Sequence, residues 1–581
     1  MKKNEEAVQT PLWTVCRRFS ENKAAMAGAV VFLLIFLIML LGPLFFPLDL
    51  SYSESTQANV PPGRSLMKLP PELKGNLAEI AVGATFSVGL STEGKVFVWG
   101  HGQVTGTTDV AEIPQEVQES VITVVAAGND HVVALSADNR IFVWGNTRLG
   151  QGDFPEALKN AGRVVQIAAG NQCSAAVDEN GRAYLWGNEN LCDIQIEEEY
   201  QGKIRKLVFT GFAYAALLED GTVAYTGKKE TAVSDIPERA RQGGVKDLAS
   251  TAQTVAAVFE DGTVLVWGNC VKGEERVPET DAGFVKLSGG RYHYTAVTKT
   301  GELLSWGDDS FGQARPPKRK KKTAVNVFCG GYQNYALYED GSVETWGLKG
   351  YFCGTDEFGR DILVRLLNGG RMTMTVGAAA VVISTVLGVL IGGISGYFGG
   401  KVDLLLQRFT EIVSALPFLP FAMILSSVIG SSMTENSRIF LIMVVLGVLS
   451  WPGLARLVRA QVLAEREKEF VTAARSVGVR EAVIVFRHVI PNVLSVIIVS
   501  ATLDFATCML TESSLSYLGF GVMPPQPTWG NMLSGANNST VIRSYWWRWV
   551  FPAVVFAVCT VCIHLTGDGL RDALDPKTEE R

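Results

Sequence analysis

Two acidic residues, Asp504 and Glu512, are the side chains best placed to do chemistry within an apolar part of the chain. Asp504 lies inside the apolar stretch 492–511, and Glu512 follows directly after it. An ionisable group within lipid is costly and normally faces a cavity or a partner. Asp504 therefore either faces a polar cavity or bonds a neighbouring helix, and Glu512 either faces the same cavity or anchors the following loop.

Enzymatic chemistry finds little support elsewhere in the sequence. The segment GTVAYTGKK resembles a phosphate loop, but five residues separate its glycines and Lys229 stands where Ser or Thr is required. The nine cysteines show no paired metal-binding spacing, and we interpret His488 and His564 as structural. The sequence thus predicts no catalytic, cofactor-binding or metal-binding residue.

The composition indicates a membrane protein with a large polar insert. The chain has 581 residues, 47% of them apolar, and a net charge of −6, which argues against nucleic-acid binding. Apolar stretches long enough to cross a bilayer lie at 28–46, 373–397, 404–430, 438–458, 492–511 and 549–567. Basic residues precede the first stretch and seven more lie between 456 and 487. The positive-inside rule then places both termini in the cytoplasm.

Residues 65–350 are built from a repeated phrase that ends in Trp-Gly or a close variant. Its closing glycines are spaced by 45, 42, 40, 41, 39 and 40 residues, and such a period indicates a repeat architecture. Each unit also carries a two-residue turn typical of a tight hairpin, such as Asp261-Gly262. Four short strands per unit, repeated seven times, predict a seven-bladed β-propeller.

The ends of the repeat block predict a closed ring. A Pro-containing strand is missing after Gly347, and a spare one is present at 69–73. The spare strand can complete the last blade and bring residues near 65 and 350 together. We therefore expect an all-β extracytoplasmic insert (65–350) between a first part (1–64) and a five-helix core (351–581) of a six-helix membrane protein.

The repeats resemble the propellers of the regulator of chromosome condensation superfamily, with Thr226 replacing one Trp. The residues after each glycine step should emerge near the central channel and form a surface that binds a partner. They are Asn129, Asp130, Asn171, Gln172, Phe212, Arg291, Tyr292, Tyr332 and Gln333. The residues one step later should pack between blades: Phe86, His131, Tyr214 and His293.

Four stretches outside the propeller resemble the C-type permease subunit of dipeptide, oligopeptide and nickel ABC importers. They are GTDEFGRDILVRLLNGGR at 354–371, EFVTAARSVGVREAVIVFRHVIPN at 469–492, ESSLSYLGFGVMPPQPTWGNML at 512–533 and TGDGLRDALDP at 566–576. The resemblance implies the permease fold of type I importers and uptake of peptides, nickel or related small solutes. In such a permease, the polar cavity that Asp504 and Glu512 would face is the translocation path.

The second stretch resembles the family's coupling element, a helix–turn–helix that docks on the ATPase. Thr472 replaces the usual Glu. The positions that match are Ala473, Ala474, Gly478, His488 and Pro491.

The same resemblance implies the partners. They are a second permease subunit, one or two cytoplasmic ATPase subunits that bind the ATP, and an extracytoplasmic solute-binding protein. Four roles stay open for the propeller: a module that binds this or another surface protein, a direct solute receptor, an enzymatic or exchange-factor role by analogy with the eukaryotic propeller that it resembles, or a structural spacer.

Overall fold

The computed structural model divides the chain into two compact units. It describes residues 11–105, 108–191, 195–211, 213–227, 231–318, 322–430 and 433–574. One unit joins Met1–Ser53 to Arg360–Arg581, and the other is Glu54–Gly359. The second unit is thus inserted into the first along the chain.

Among its described residues, the first unit contains five helices long and apolar enough to cross a membrane. They are Lys23–Phe45, Ile362–Phe398, Glu435–Glu465, Glu481–Tyr517 and Trp547–Leu574. The span expected at 404–430 is instead a pair, Gly400–Ala415 and Phe418–Val428, bent by 78°, which makes a sixth span if the pair counts as one. Pro417 lies at the break, and a proline disfavours helical geometry in the residue before it. Shorter helices are Pro11–Glu21, Glu469–Ser476, Trp529–Leu533 and Ser539–Ser544.

Glycines on Ile362–Phe398 let this helix pack closely against Glu435–Glu465. A Cβ added at Gly392 would lie 2.4 Å from the Ala455 carbonyl oxygen, and one at Gly396 would lie 2.7 Å from that of Arg459. Side chains at these two positions would force the helices apart. Small residues at a helix interface allow such a close approach in lipid.

The inserted unit contains seven antiparallel three-stranded sheets, which we number as blades 1 to 7. The strands of blades 1 to 3 are Leu77–Val82, Phe86–Ser91 and Val96–Gly100 (blade 1), Ile122–Ala127, His131–Ser136 and Ile141–Gly145 (blade 2), and Val164–Ala169, Cys173–Asp178 and Ala183–Gly187 (blade 3). Those of blades 4 and 5 are Ile204–Phe209, Ala213–Leu218 and Val223–Gly227 (blade 4), and Val245–Ser250, Thr254–Phe259 and Val264–Gly268 (blade 5). Those of blades 6 and 7 are Phe284–Gly289, His293–Thr298 and Leu303–Gly307 (blade 6), and Ala324–Cys329, Gln333–Tyr338 and Val343–Gly347 (blade 7). One further two-stranded sheet pairs Gln103–Thr105 with Thr108–Asp109.

The prediction of four strands per blade is wrong. Four of the Pro-containing segments form short helices and not the expected fourth strand. They are Pro71–Leu73, Gln115–Glu119, Glu156–Asn160 and Glu238–Gln242. Each follows or begins with a proline, whose fixed φ suits the start of a helix and which has no N–H for a sheet ladder. The hairpin turns follow the prediction, with positive φ at residues such as Asn139 (68°) and Gly262 (86°).

In five of the blades the repeated Trp ties the blade to the connection that precedes it. The indole N–H of Trp144 donates to the Val110 carbonyl at 2.9 Å, and that of Trp306 donates to Glu274 at 2.8 Å. Trp186, Trp267 and Trp346 make the equivalent bond. The contact explains why a residue with an apolar body and one donor recurs in these five units.

The ring closes between blades 7 and 1. Trp99 of blade 1 donates to the Tyr335 hydroxyl of blade 7 at 2.9 Å. Leu73 of the spare segment is buried between these blades in contact with both, as a short helix and not as the expected strand. The flanking segments also pair, since Gly63 N–H donates to Tyr351 and Thr355 N–H donates to Val60. The expected meeting of the insert's two ends is therefore confirmed.

Candidate functional site

The segment predicted to couple the permease to an ATPase is a helix, a turn and a second helix. Glu469–Ser476 ends in the peptide hydrogen bonds Val477 N–H to Ala473 and Gly478 N–H to Arg475. Gly478 has a φ of +81°, and nothing lies within 4 Å of a Cβ added there. The chain then passes through Glu481–Val483 and the π-helix Ile484–Val489 into Ile490–Tyr517. Glycine is therefore needed at position 478 because of the positive φ, and not because a side chain would clash with a neighbour.

One face of this segment is held in the core and another is open. Val471, Ile484, Val485 and Val489 are buried in one cluster with Tyr397. Of the predicted coupling residues, Ala474 packs partly against that cluster, whereas Ala473, Gly478, His488 and Pro491 are exposed. Val477, at the tip, is 83% exposed. An open apolar tip on an anchored support is the form expected of a docking element.

Polar contacts fix the position of the turn relative to the helices behind it. The Tyr397 hydroxyl bonds the Glu481 carboxylate and accepts from Arg475 Nε at 3.2 Å. This hydrogen bond raises the pKa of Arg475. The turn is therefore anchored by polar contacts with Tyr397. A separate bidentate pair between Asp403 and Arg459, with both distances at 2.6 Å, joins the helices Gly400–Ala415 and Glu435–Glu465.

The two predicted path residues have different environments. Asp504 is partly exposed and accepts a long hydrogen bond from Ser500 at 3.4 Å, on its own helix. Glu512 is completely buried and accepts from Ser516 at 2.6 Å, and Ser516 in turn accepts from the Val522 N–H. The assignment of Glu512 to a translocation path is wrong for this structure, because its carboxylate is enclosed and holds the loop that follows.

Three of the predicted propeller residues line a cavity at the centre of the ring. Asn129, Asn171 and Arg291 face a space of about 210 Å³, whose lining also includes the glycine steps of the blades. Asn129 donates to Asn171 at 2.6 Å, across from blade 2 to blade 3. The predicted convergence on the channel thus holds for these three residues.

Asp130 and Gln172 support loops and do not face the channel. Asn146 donates to Asp130 at 2.7 Å and Asn188 donates to Gln172 at 2.7 Å, each pair joining the start of a middle strand to the loop after the Trp-Gly strand. Tyr292 is partly exposed, with Arg291 5.3 Å from its ring centroid. Phe212 lies outside the described residues, as does Lys229.

The predictions for Tyr332 and Gln333 are wrong. Gln333 begins the middle strand of blade 7, where His293 begins that of blade 6, and it is buried. Tyr332 is 3% exposed, and its hydroxyl donates to Glu54 Oε2 at 2.9 Å. The segment that precedes the propeller covers this tyrosine, so neither residue is available to a partner.

An ion pair that joins this segment to the ring was not foreseen from the sequence. Arg291 Nη2 lies 3.0 Å from Glu54 Oε1, and Arg291 Nε donates to Glu54 Oε2 at 3.2 Å. Burial alone would lower the pKa of Arg291, but the Glu54 carboxylate keeps that pKa raised. Sequence periodicity carries no signal for the pair, because its members are 237 positions apart.

The residues expected to pack between blades do so. Phe86, His131, Tyr214 and His293 are all fully buried. His131 Nε2 contacts Ser174 Oγ at 2.9 Å, and His293 Nε2 contacts Asn334 Oδ1 at 2.7 Å in the next blade. Burial lowers the pKa of His293, so its neutral form is favoured. These histidines are structural.

Family models match both parts of the chain. The binding-protein-dependent transport system inner membrane component matches residues 388–580, and the N-terminal TM domain of oligopeptide transport permease C matches 10–62. The regulator of chromosome condensation (RCC1) repeat matches 122–151 and 284–313. Every match to a transport model therefore lies outside the propeller.

Curated relatives agree with this division. A putative peptide permease protein of Brucella suis biovar 1 is 41% identical over 229 residues, covering 39% of this chain and 74% of the relative. The oligopeptide transport system permease protein OppC of Haemophilus influenzae is 44% identical over 231 residues, covering 40% of this chain and 72% of the relative. The chain is thus a permease subunit of an ABC importer. Within that class it belongs to the peptide permease family, and it carries an inserted RCC1-like propeller.

Solved structures share lower similarity. The CRINKLY WD40 ectodomain of the Arabidopsis thaliana receptor kinase ACR4 is 15% identical, covering 47% of this chain and 96% of that chain, with a TM-score of 0.38. Prp20p of Saccharomyces cerevisiae is 16% identical, covering 51% of this chain and 90% of that chain, also with a TM-score of 0.38.

Proposed function

We propose that this chain forms half of the translocation path of a peptide importer and couples it to a separate ATPase through residues 469–491. Uptake of nickel or a related small solute is the alternative. The observation that carries the proposal is the exposed tip at Val477 and Gly478 on a support anchored by Tyr397. The complex would contain a second permease subunit, one or two ATPase subunits and a solute-binding protein.

A pair of glutamate substitutions, one on the helix Glu469–Ser476 and one just after it, tests the coupling role. Val477→Glu places a charge on the exposed tip without disturbing the core, and we expect it to abolish solute-stimulated ATP hydrolysis by the reconstituted transporter. Thr472→Glu is the matched control, because it adds the same charge at an exposed position where the family pattern has Glu. We expect this control to keep full stimulation. Equal stimulation in both variants would contradict the docking role.

The propeller is proposed to lie outside the cytoplasm and to bind a protein. The basic N-terminus and the positions of the apolar spans support this orientation. The central cavity of about 210 Å³ is smaller than the ~300–1,000 Å³ of usual ligand sites. A small channel favours recognition on the surface of the ring over capture of a solute inside it.

A further inference from the structure

A groove on the propeller lies between the loop after blade 2 and the loop after blade 3. It has a volume of about 440 Å³, and its lining includes Leu149, Asp153, Trp186, Asn188 and Glu189. The two loops meet where Gly150 packs on Gly187; a Cβ added at Gly150 would lie 2.9 Å from the Gly187 carbonyl oxygen. This contact forms the floor of the groove.

The framework under the groove is rigid. Trp186 donates to the Gln151 carbonyl at 2.8 Å, and Leu149 N–H donates to the Gln151 side chain at 2.9 Å. The bonds from Asn146 to Asp130 and from Asn188 to Gln172 hold the start of each loop. Asp130 and Gln172, predicted as contact residues, therefore act as positioning residues for the groove.

The rim combines apolar side chains with carboxylates. Leu149 is 44% exposed and Phe154 is 38% exposed, with the Phe154 ring centroid 5.5 Å from that of Trp186. Asp153 and Glu189 are exposed, and within the described ranges neither carboxylate has a hydrogen-bond or ion-pair partner. Large apolar side chains left open beside unpaired charges are typical of an interaction surface.

The charge of this region has one sign. Among the described residues that line the groove, none is Lys, Arg or His. From Ala183 to Gln201 the sequence has five acidic residues and no Lys or Arg, and the net charge over 64–350 is −7. Arg148 belongs to the first loop but does not line the groove. A cationic ligand is therefore favoured on approach and at contact.

We propose that this groove binds a basic segment of a partner protein, placing a Lys or Arg side chain between Asp153 and Glu189 and an apolar neighbour on Leu149 and Phe154. A free peptide fits less well, because its terminal carboxylate would meet an acidic rim with no cation in the lining. This inference rests on the proposed role of the propeller as a protein-binding module and assigns the face and the chemistry.

The test is a binding titration with purified full-length protein in detergent. The probe is a fluorescein-labelled Lys-Phe-Lys-Phe-Lys peptide with both termini blocked, and the readout is fluorescence anisotropy. We expect saturable binding that weakens about tenfold in the double variant Asp153→Asn with Glu189→Gln, and that weakens as salt is raised. The control double variant, Glu112→Gln with Glu116→Gln, removes two exposed acids from the equivalent connection before blade 2 and should bind as wild type.

Three results would overturn the proposal. Equal loss in both double variants would indicate attraction to the acidic surface as a whole. Tighter binding of the same peptide with a free carboxylate would indicate a solute receptor. Binding that does not change in the Asp153 and Glu189 variant would show that the peptide binds elsewhere on the protein. That result would contradict the groove proposal but not the protein-binding role of the propeller. The importer function is judged separately by the Val477→Glu assay, so failure of one does not imply failure of the other.

Discussion

Replacing Tyr332 by alanine should destabilise the propeller strongly, whereas the same change at Tyr292 should not. Tyr332 is buried, lies 5.0 Å from Phe311 between ring centroids, and donates to Glu54. Loss of a buried aromatic side chain costs about 3–5 kcal/mol, which corresponds to a fall in melting temperature of roughly 6–20 °C. Tyr292 makes one cation–π contact with Arg291, worth about 0.5–1 kcal/mol at an exposed site.

A third variant separates packing from hydrogen bonding. Tyr332→Phe keeps the ring and removes the hydroxyl, so it should cost about 1.5–3 kcal/mol, the value of a hydrogen bond to a charged group. The expected order of melting temperatures is wild type, then Tyr292→Ala, then Tyr332→Phe, then Tyr332→Ala. The order follows from burial and hydrogen bonding and needs no knowledge of the partner.

The assay is thermal proteolysis of the full-length protein in detergent, with mass spectrometry assigning each cut to a residue inside or outside Glu54–Gly359. This readout separates melting of the propeller from melting of the membrane unit. Wild-type melting in Tyr332→Ala would refute the reasoning, because it would mean that the segment carrying Glu54 does not cover the ring. A large loss at Tyr292 would place that residue in the core instead.

Three further predictions concern coupling, sidedness and pH. Gly478→Trp should insert normally in the membrane but lose solute-stimulated ATP hydrolysis, since φ of +81° strains any other residue; normal turnover would show that the turn is not the coupling element. Glu260→Cys, at an exposed propeller position, should react with a membrane-impermeant maleimide in intact cells, and labelling that needs lysis would reverse the topology. Because burial lowers the pKa of His293 below its ordinary 6.5, the unfolded chain binds more protons, and propeller stability should fall as pH drops below about 6.5. His293→Gln, which copies Gln333 of blade 7, should flatten that dependence in thermal melts taken from pH 7.5 to 5.

Local, repeated features of the propeller could be predicted from the sequence. The Trp-Gly phrase and the hairpin turns recur every ~40 residues, so chance agreement is excluded by repetition. Contacts made once could not be predicted, such as Glu54 with Arg291, because nothing periodic marks them. The error at Gln333 has a simple cause: the adjacent glycines Gly330 and Gly331 allow two alignments of blade 7 that differ by one residue.

The membrane unit shows the same division. Its spans could be predicted from hydropathy, because backbone polar groups in lipid must be hydrogen-bonded within the protein and a helix satisfies them within one segment. The proline at 417 was a visible signal in the sequence for the break in this helix, but hydropathy averaged over a window conceals it. The burial of Glu512 had no such signal, since a carboxylate beside serines fits a path and an anchor equally well until the loop that it binds is located.

The paired segments that flank the propeller have a consequence for the entropy of the host. An unfolded insert of this length would loosen the connection between the first and second spans, with a closure cost about 3 kcal/mol above that of a ten-residue loop. Because Gly63 bonds Tyr351 and Val60 bonds Thr355, the folded insert instead holds its two ends side by side. For the membrane unit, the folded propeller therefore has the entropic effect of a short connection between the first and second spans. Its length has little effect on the stability of the helices that it separates.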